Sequence, residues 1–139
     1  MQKPNLQSII YFTTDHISDA SCCGNISPFY FQSNIDFFKE ALTSNTCLNR
    51  KLCVDSMGYV KNCPAMEKSY GHIHNIKLKE CLENEHFKKL WDIKKDDIEI
   101  CKDCEFRYIC PDCRVFTLTD DLYSKPKKCS YDPYKNSWN

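Results

Sequence analysis

Three glycines in 139 residues are few, and eight phenylalanines and eight tyrosines stand against them, which excludes a low-complexity chain. Long apolar runs are also missing. Mean hydropathy is −0.57, and no stretch approaches the roughly 20 residues of a membrane span. The run Ile9–Phe12 is too short for a secretory h-region and follows the polar Met1–Ser8. The expected location is therefore the cytoplasm, with no membrane partner. Charge of one sign is not in excess, with 19 basic and 19 acidic residues. Nothing there would meet a phosphate backbone, so a nucleic-acid partner is not expected.

Cysteine is abundant: eleven residues, eight of them in one long pattern. Cys47-x5-Cys53-x9-Cys63 is followed by Cys101-x2-Cys104-x5-Cys110-x2-Cys113 and then by Cys129. In a reducing compartment, clustered thiols read as metal ligands rather than disulfides. Eight sulfurs make two tetrathiolate sites, either iron–sulfur clusters or two zinc ions. Each filled site would carry about −2, which Arg50, Lys51, Lys61, Lys102, Arg107 and Arg114, all beside ligand positions, can offset. Five residues between the two C-x2-C turns are fewer than an ordinary zinc ribbon has, and the βαβ setting of a thioredoxin-like pair is missing.

The chain divides into segments of different pattern. Residues 1–46 read as a strand–loop–helix unit. Ile9–Phe12 is β-favouring, and Ile35, Phe38 and Leu42 form a helical stripe capped by Ser33 or Asn34. Leu52–Val54 and Tyr59–Lys61 predict a β-hairpin turned by Asp55–Gly58, with Gly58 free to take positive φ. Ile76, Leu78, Cys81 and Leu82, then Phe87, Leu90 and Trp91, predict helix, with Cys81 a buried hydrophobe. His72 and His74 share a face if extended, although the thiols already fill two sites. Cys22 and Cys23 lie in a loop outside the pattern. The closing aromatics Tyr131, Tyr134 and Trp138 are expected to pack on the fold.

From Cys47 to Cys129 the chain resembles the SPASM domain, the C-terminal module of many radical SAM enzymes that modify ribosomally made peptides. Its signature, C-x9–15-G-x4-C, then C-x2-C-x5-C-x3-C, then a last cysteine, meets Cys47, Gly58 and Cys63, then Cys101, Cys104, Cys110 and Cys113, then Cys129. Cys53 is the extra thiol of eight-cysteine members. Two residues, not three, separate Cys110 from Cys113. The wording Cys47-Leu48-Asn49-Arg50-Lys51, Lys61-Asn62-Cys63-Pro64 and Cys104-Glu105-Phe106-Arg107-Tyr108-Ile109-Cys110 is similar to the SPASM-domain maturases of grasp-with-spasm systems.

The resemblance implies an α+β fold: residues 47–139 form a small SPASM domain, a hairpin and helices around two auxiliary [4Fe–4S] clusters. Cys47, Cys53, Cys63 and Cys113 would hold the first cluster, and Cys101, Cys104, Cys110 and Cys129 the second. Spacing alone would instead group Cys101, Cys104, Cys110 and Cys113. The implied partners are a precursor peptide and an ATP-grasp ligase of the same system. The C-x3-C-x2-C motif of the S-adenosylmethionine cluster is absent from the chain. S-adenosylmethionine chemistry would thus need a barrel supplied outside it, and residues 1–46 look like the last unit of such a partial (β/α) barrel. The alternative is a zinc-stapled interaction module without redox function.

Overall fold

The computed structural model describes residues 9–17 and 19–139, so the reading of Met1–Ser8 lies outside the described residues. It shows a small, cysteine-rich α+β chain whose strands form two separate two-stranded ribbons. Among the described residues no helix is long and apolar enough to cross a membrane.

Helix α1 spans Ile35–Thr43, and its start is set locally: the Asn34 side chain accepts the Phe37 amide at 2.9 Å. The buried residues are Phe37 and Ala41, while Ile35, Phe38 and Leu42 remain partly or largely exposed. The expected stripe is thus displaced around the helix. Phe38 instead meets the edge of Tyr108, ring centroids 5.5 Å apart. The strand expected at Ile9–Phe12 does not form. Those residues are 70–94% exposed and outside any ladder. A β-run acquires stability from a neighbour that takes up its amides and carbonyls, and none is supplied among the described residues.

The hairpin forms as expected, with β1 (Cys53–Val54) antiparallel to β2 (Val60–Lys61) in the register Cys53 to Lys61 and Val54 to Val60. Asp55 organises the turn. Its Oδ1 accepts the amides of Met57 and Tyr59 at 3.0 and 2.9 Å, and Lys61 pairs with its other oxygen at 2.8 Å. Gly58 takes φ +83°, and a Cβ there would fall 2.4 Å from His72 Nε2. His72 bonds Met57 O at 2.9 Å, stacks edge-on to Tyr59 and receives the His74 amide. Both histidines therefore belong to the packing of the hairpin.

Helices α2 (Leu78–Glu83) and α3 (Glu85–Lys88) close over the hairpin. Val60, Cys81 and Phe87 are buried together, with Leu52, Tyr70, Ile76 and Trp91 against them. Cys81 is packing material, as its stripe predicts. Asn62 joins the two halves of this core, donating to Phe87 O at 3.1 Å and accepting from Trp91 Nε1 at 3.1 Å. A second cluster gathers Ile93, Ile98 and Cys101. The C-terminal ribbon, β3 (Tyr131–Asp132) with β4 (Ser137–Trp138), was not anticipated from the sequence. It brings Tyr131 to 5.1 Å from Phe106 and 4.9 Å from Trp138, covering the loop between Cys104 and Cys110. Tyr134 stays exposed.

Gly58→Ala combines a left-handed backbone with a collision against a ring. Urea denaturation should show a loss of about 1–3 kcal/mol, and an unchanged midpoint would contradict the packing of His72 on the turn.

Candidate metal centre

Both thiol groups are delivered by short, constrained segments. Cys101–Asp103 forms a 3₁₀ turn in which the Cys104 amide returns to Cys101 O at 3.0 Å. Ile100, just before it, takes φ +66°, and Arg50, three residues after Cys47, takes φ +55°. A non-glycine residue in this region costs of order 1–3 kcal/mol. That two such residues flank the two thiol groups marks where the fold accepts strain.

The eight thiols are all free of disulfides, as are Cys22, Cys23 and Cys81. Their mutual influence sorts them into two sets. Cys47 is pushed up to about 11, chiefly by burial, and then by the charges of Cys113, Asp112 and Cys63 against the opposing pull of Lys51. Cys53 is raised by burial and by Cys63. Cys63 is raised by burial, then by Cys23 and Cys113, while the Ala65 amide and Lys128 act the other way. In the other set, Cys110 is pushed up to about 12 by burial, with Cys129 and Cys101 adding to it and Lys95 opposing. Burial and Cys129 also raise Cys101 and Cys104.

Electrostatic influence thus links Cys47, Cys53, Cys63 and Cys113, and separately Cys101, Cys104, Cys110 and Cys129. The charge of Cys113 bears on Cys47 and Cys63, and that of Cys129 on Cys101, Cys104 and Cys110. Among the described residues, no three Cys, His, Asp or Glu side chains converge closely enough to hold a single metal ion. Cys23 stands near the first set, beside Cys63. Lys128 reaches the main-chain oxygens of Cys23 and Gly24. The loop of Cys22 and Cys23 is thus drawn to the site, which its position outside the pattern did not suggest.

Asp112 bears on thiols of both sets, on Cys47 in the first and on Cys101 and Cys110 in the second. It lies within the Cys110–Cys113 turn and is buried, with Lys95 Nζ 2.7 Å from Oδ1 and Asn45 Nδ2 2.6 Å from Oδ2. Arg114 Nη2 donates to Oδ1 at 3.0 Å. Arg114 Nε is 2.7 Å from Oδ2, but its N–H is not aimed there, so that approach is a charge contact. Burial opposes the carboxylate, yet Lys95 and Arg114 outweigh it and hold the Asp112 carboxyl below the usual range. Thr46 Oγ1 accepts the Asp112 amide at 3.1 Å and donates to Cys110 O at 3.2 Å.

Of the cations expected to offset thiolate charge, Lys51 and Lys61 act on the first set and Arg114 on the second. Arg50 pairs with Glu40 and Arg107 with Asp96. The sequence reading did not single out Lys95 and Lys128, because nothing in their immediate sequence separates them from surface lysines.

Burial raises the pKa of Cys47, Cys53, Cys63, Cys101, Cys104 and Cys110, so the metal-free chain keeps these six protonated at neutral pH. Reactive thiols show the opposite shift, so these six are poor nucleophiles. Any metal bound here displaces protons as it binds. Comparison with known proteins adds no identity: no family model, curated protein or solved structure matches the chain.

Asp112→Asn would leave Lys95 and Arg114 buried without their counter-charge, and should cost the metal-free protein about 3–5 kcal/mol near neutral pH. The folded-state pKa is depressed, so the carboxylate stabilises the fold above its unfolded value of about 3.9 and ceases to do so as pH falls through the folded value. Denaturation of both proteins across that acid range should show their difference shrinking. A constant difference would contradict the role given to this carboxylate.

Proposed function

We propose that the chain is the SPASM-type part of a peptide maturase and holds two auxiliary [4Fe–4S] clusters, one in each thiol set. The observation that carries this reading is the electrostatic linkage among eight free thiols, with Cys113 acting on Cys47 and Cys63, and Cys129 acting on Cys101, Cys104 and Cys110. The same two sets follow from the SPASM resemblance.

The donor chemistry fits such a group. Each set offers four sulfurs, and backbone amides point at two of them, Ala65 at Cys63 and Phe106 at Cys104. Hydrogen bonds of that kind accompany iron–sulfur ligation. Zinc would satisfy the same eight thiolates, so metal content and colour separate the two readings. Full cysteine ligation leaves no iron open to substrate, so the clusters would supply electron relay or structure. The chain's own residues would exclude water from the thiols and present a surface to a ribosomally made precursor peptide. Cleavage of S-adenosylmethionine would fall to a barrel outside this chain, and an ATP-grasp ligase would be the companion enzyme.

Anaerobically purified or reconstituted protein should be brown and contain about eight irons, four per cluster. Colourless protein with two zinc ions after the same treatment would establish the zinc-stapled alternative instead. Cys113→Ala and Cys129→Ala should each remove a different cluster and leave distinct residual spectra. Loss of the same cluster in both variants would overturn the crossed assignment.

A further inference from the structure

Lys95 is among the least exposed polar residues of the chain, its side chain 4% exposed. It is not a ligand, and the SPASM signature does not include it. Its Nζ pairs with Asp112 at 2.7 Å and lies 3.8 Å from Cys101 Sγ, within reach of an N–H···S contact. The turn Lys95–Asp97 that positions it packs directly on the Cys101–Asp103 turn. Asp97 receives the Lys94 amide at 3.2 Å, so the backbone beside Lys95 is pinned. A buried ammonium facing a ligand sulfur requires some return for its desolvation, and pairing with Asp112 alone does not explain its approach to Cys101.

We infer that Lys95 is a positioning residue that raises the reduction potential of the cluster held by Cys101, Cys104, Cys110 and Cys129. This rests on the reading that the set holds an iron–sulfur cluster. Adding an electron makes such a cluster more negative. A fixed positive charge and a hydrogen bond to a ligand sulfur both stabilise the reduced form. Lys95, Asp112 and Arg114 together carry one net positive charge, so removing the ammonium leaves the group neutral. Lys95 also outweighs Asp112 at Cys101 and Cys110. Burial keeps its charge from being screened by salt. Among the described residues the cations named for the first set, Lys51 at Cys47, Lys61 at Cys53 and Lys128 at Cys63, are none of them fully buried.

The test is a redox titration of the full reconstituted chain followed by electron paramagnetic resonance, with dithionite as reductant. The signal lost in Cys129→Ala identifies the second cluster. Lys95→Met should lower that cluster's potential so that its reduced-to-oxidised ratio at fixed potential falls about tenfold, about 59 mV for a one-electron couple. The other cluster should not move. Lys95→Arg should restore most of the shift, and Lys95→Gln, which keeps a donor without charge, should fall between. No shift in Lys95→Met, or an equal shift in both clusters, overturns the inference. So does loss of the second cluster in both the Met and Gln variants, which would give Lys95 a folding role only. Absence of iron–sulfur signals from the unsubstituted chain would instead refute the underlying reading, and is seen before any variant is made.

Discussion

A carboxylate with no access to water must be matched by cations and donors, or the fold that buries it fails. Asp112 is in that position, and Lys95, Arg114 and Asn45 answer it from three parts of the chain. Asn45 follows α1 and also binds Ile93 O, while Arg114 reaches Leu122 O and Ser124 O at 2.6 and 2.9 Å. One side chain therefore ties the end of α1, the turn before Cys101 and the segment leading to Cys129. A buried ion pair yields little net stability, because desolvation consumes most of the attraction. What it provides is geometry. Asp112 stands one residue before Cys113 and two after Cys110, so holding it between two cations pins the turn that carries both.

With two intervening residues, a free turn tends to aim both sulfurs at one point, as zinc-binding C-x2-C turns do. Here Thr46 takes the Asp112 amide and donates to Cys110 O, and Asn45 Oδ1 accepts the amides of Cys47 and Leu48 at 3.0 and 2.9 Å. The segment bearing Cys47 is thus fastened to the turn bearing Cys113. The fastening is made by Asn45 and Thr46, not by any cysteine.

Local chemistry was legible in the sequence, and distant pairing was not. The Asn34 cap and the Gly58 turn are decided within four residues, and both were readable. The buried face of α1 depends on what packs against it, so Phe37 and Ala41 could not be told from Phe38 and Leu42 by period alone. Ile9–Phe12 shows β propensity, but propensity does not supply a neighbour. Lys94 and Lys95 are indistinguishable in sequence; one lies partly exposed and the other buried, because a carboxylate seventeen positions later selects between them. The eight cysteines were visible at once, yet their spacing did not indicate that Cys113 acts on Cys47 and Cys63. Tyr131 and Trp138 form a ribbon too short, and too close to Pro133, to register as strands.

A formal charge of zero hides an asymmetry between the two sets. The first set is offset from its rim by Lys51, Lys61 and Lys128, side chains that solvent and salt can reach. The second is offset from within, by Lys95 and Arg114. Rim charges act through high dielectric and fade within about 8–10 Å at ordinary ionic strength, whereas buried ones are much less screened. The same −2 on each set would therefore meet a variable compensation on one side and a fixed one on the other. Two groups of thiols alike in chemistry are made unlike by where the protein keeps its cations.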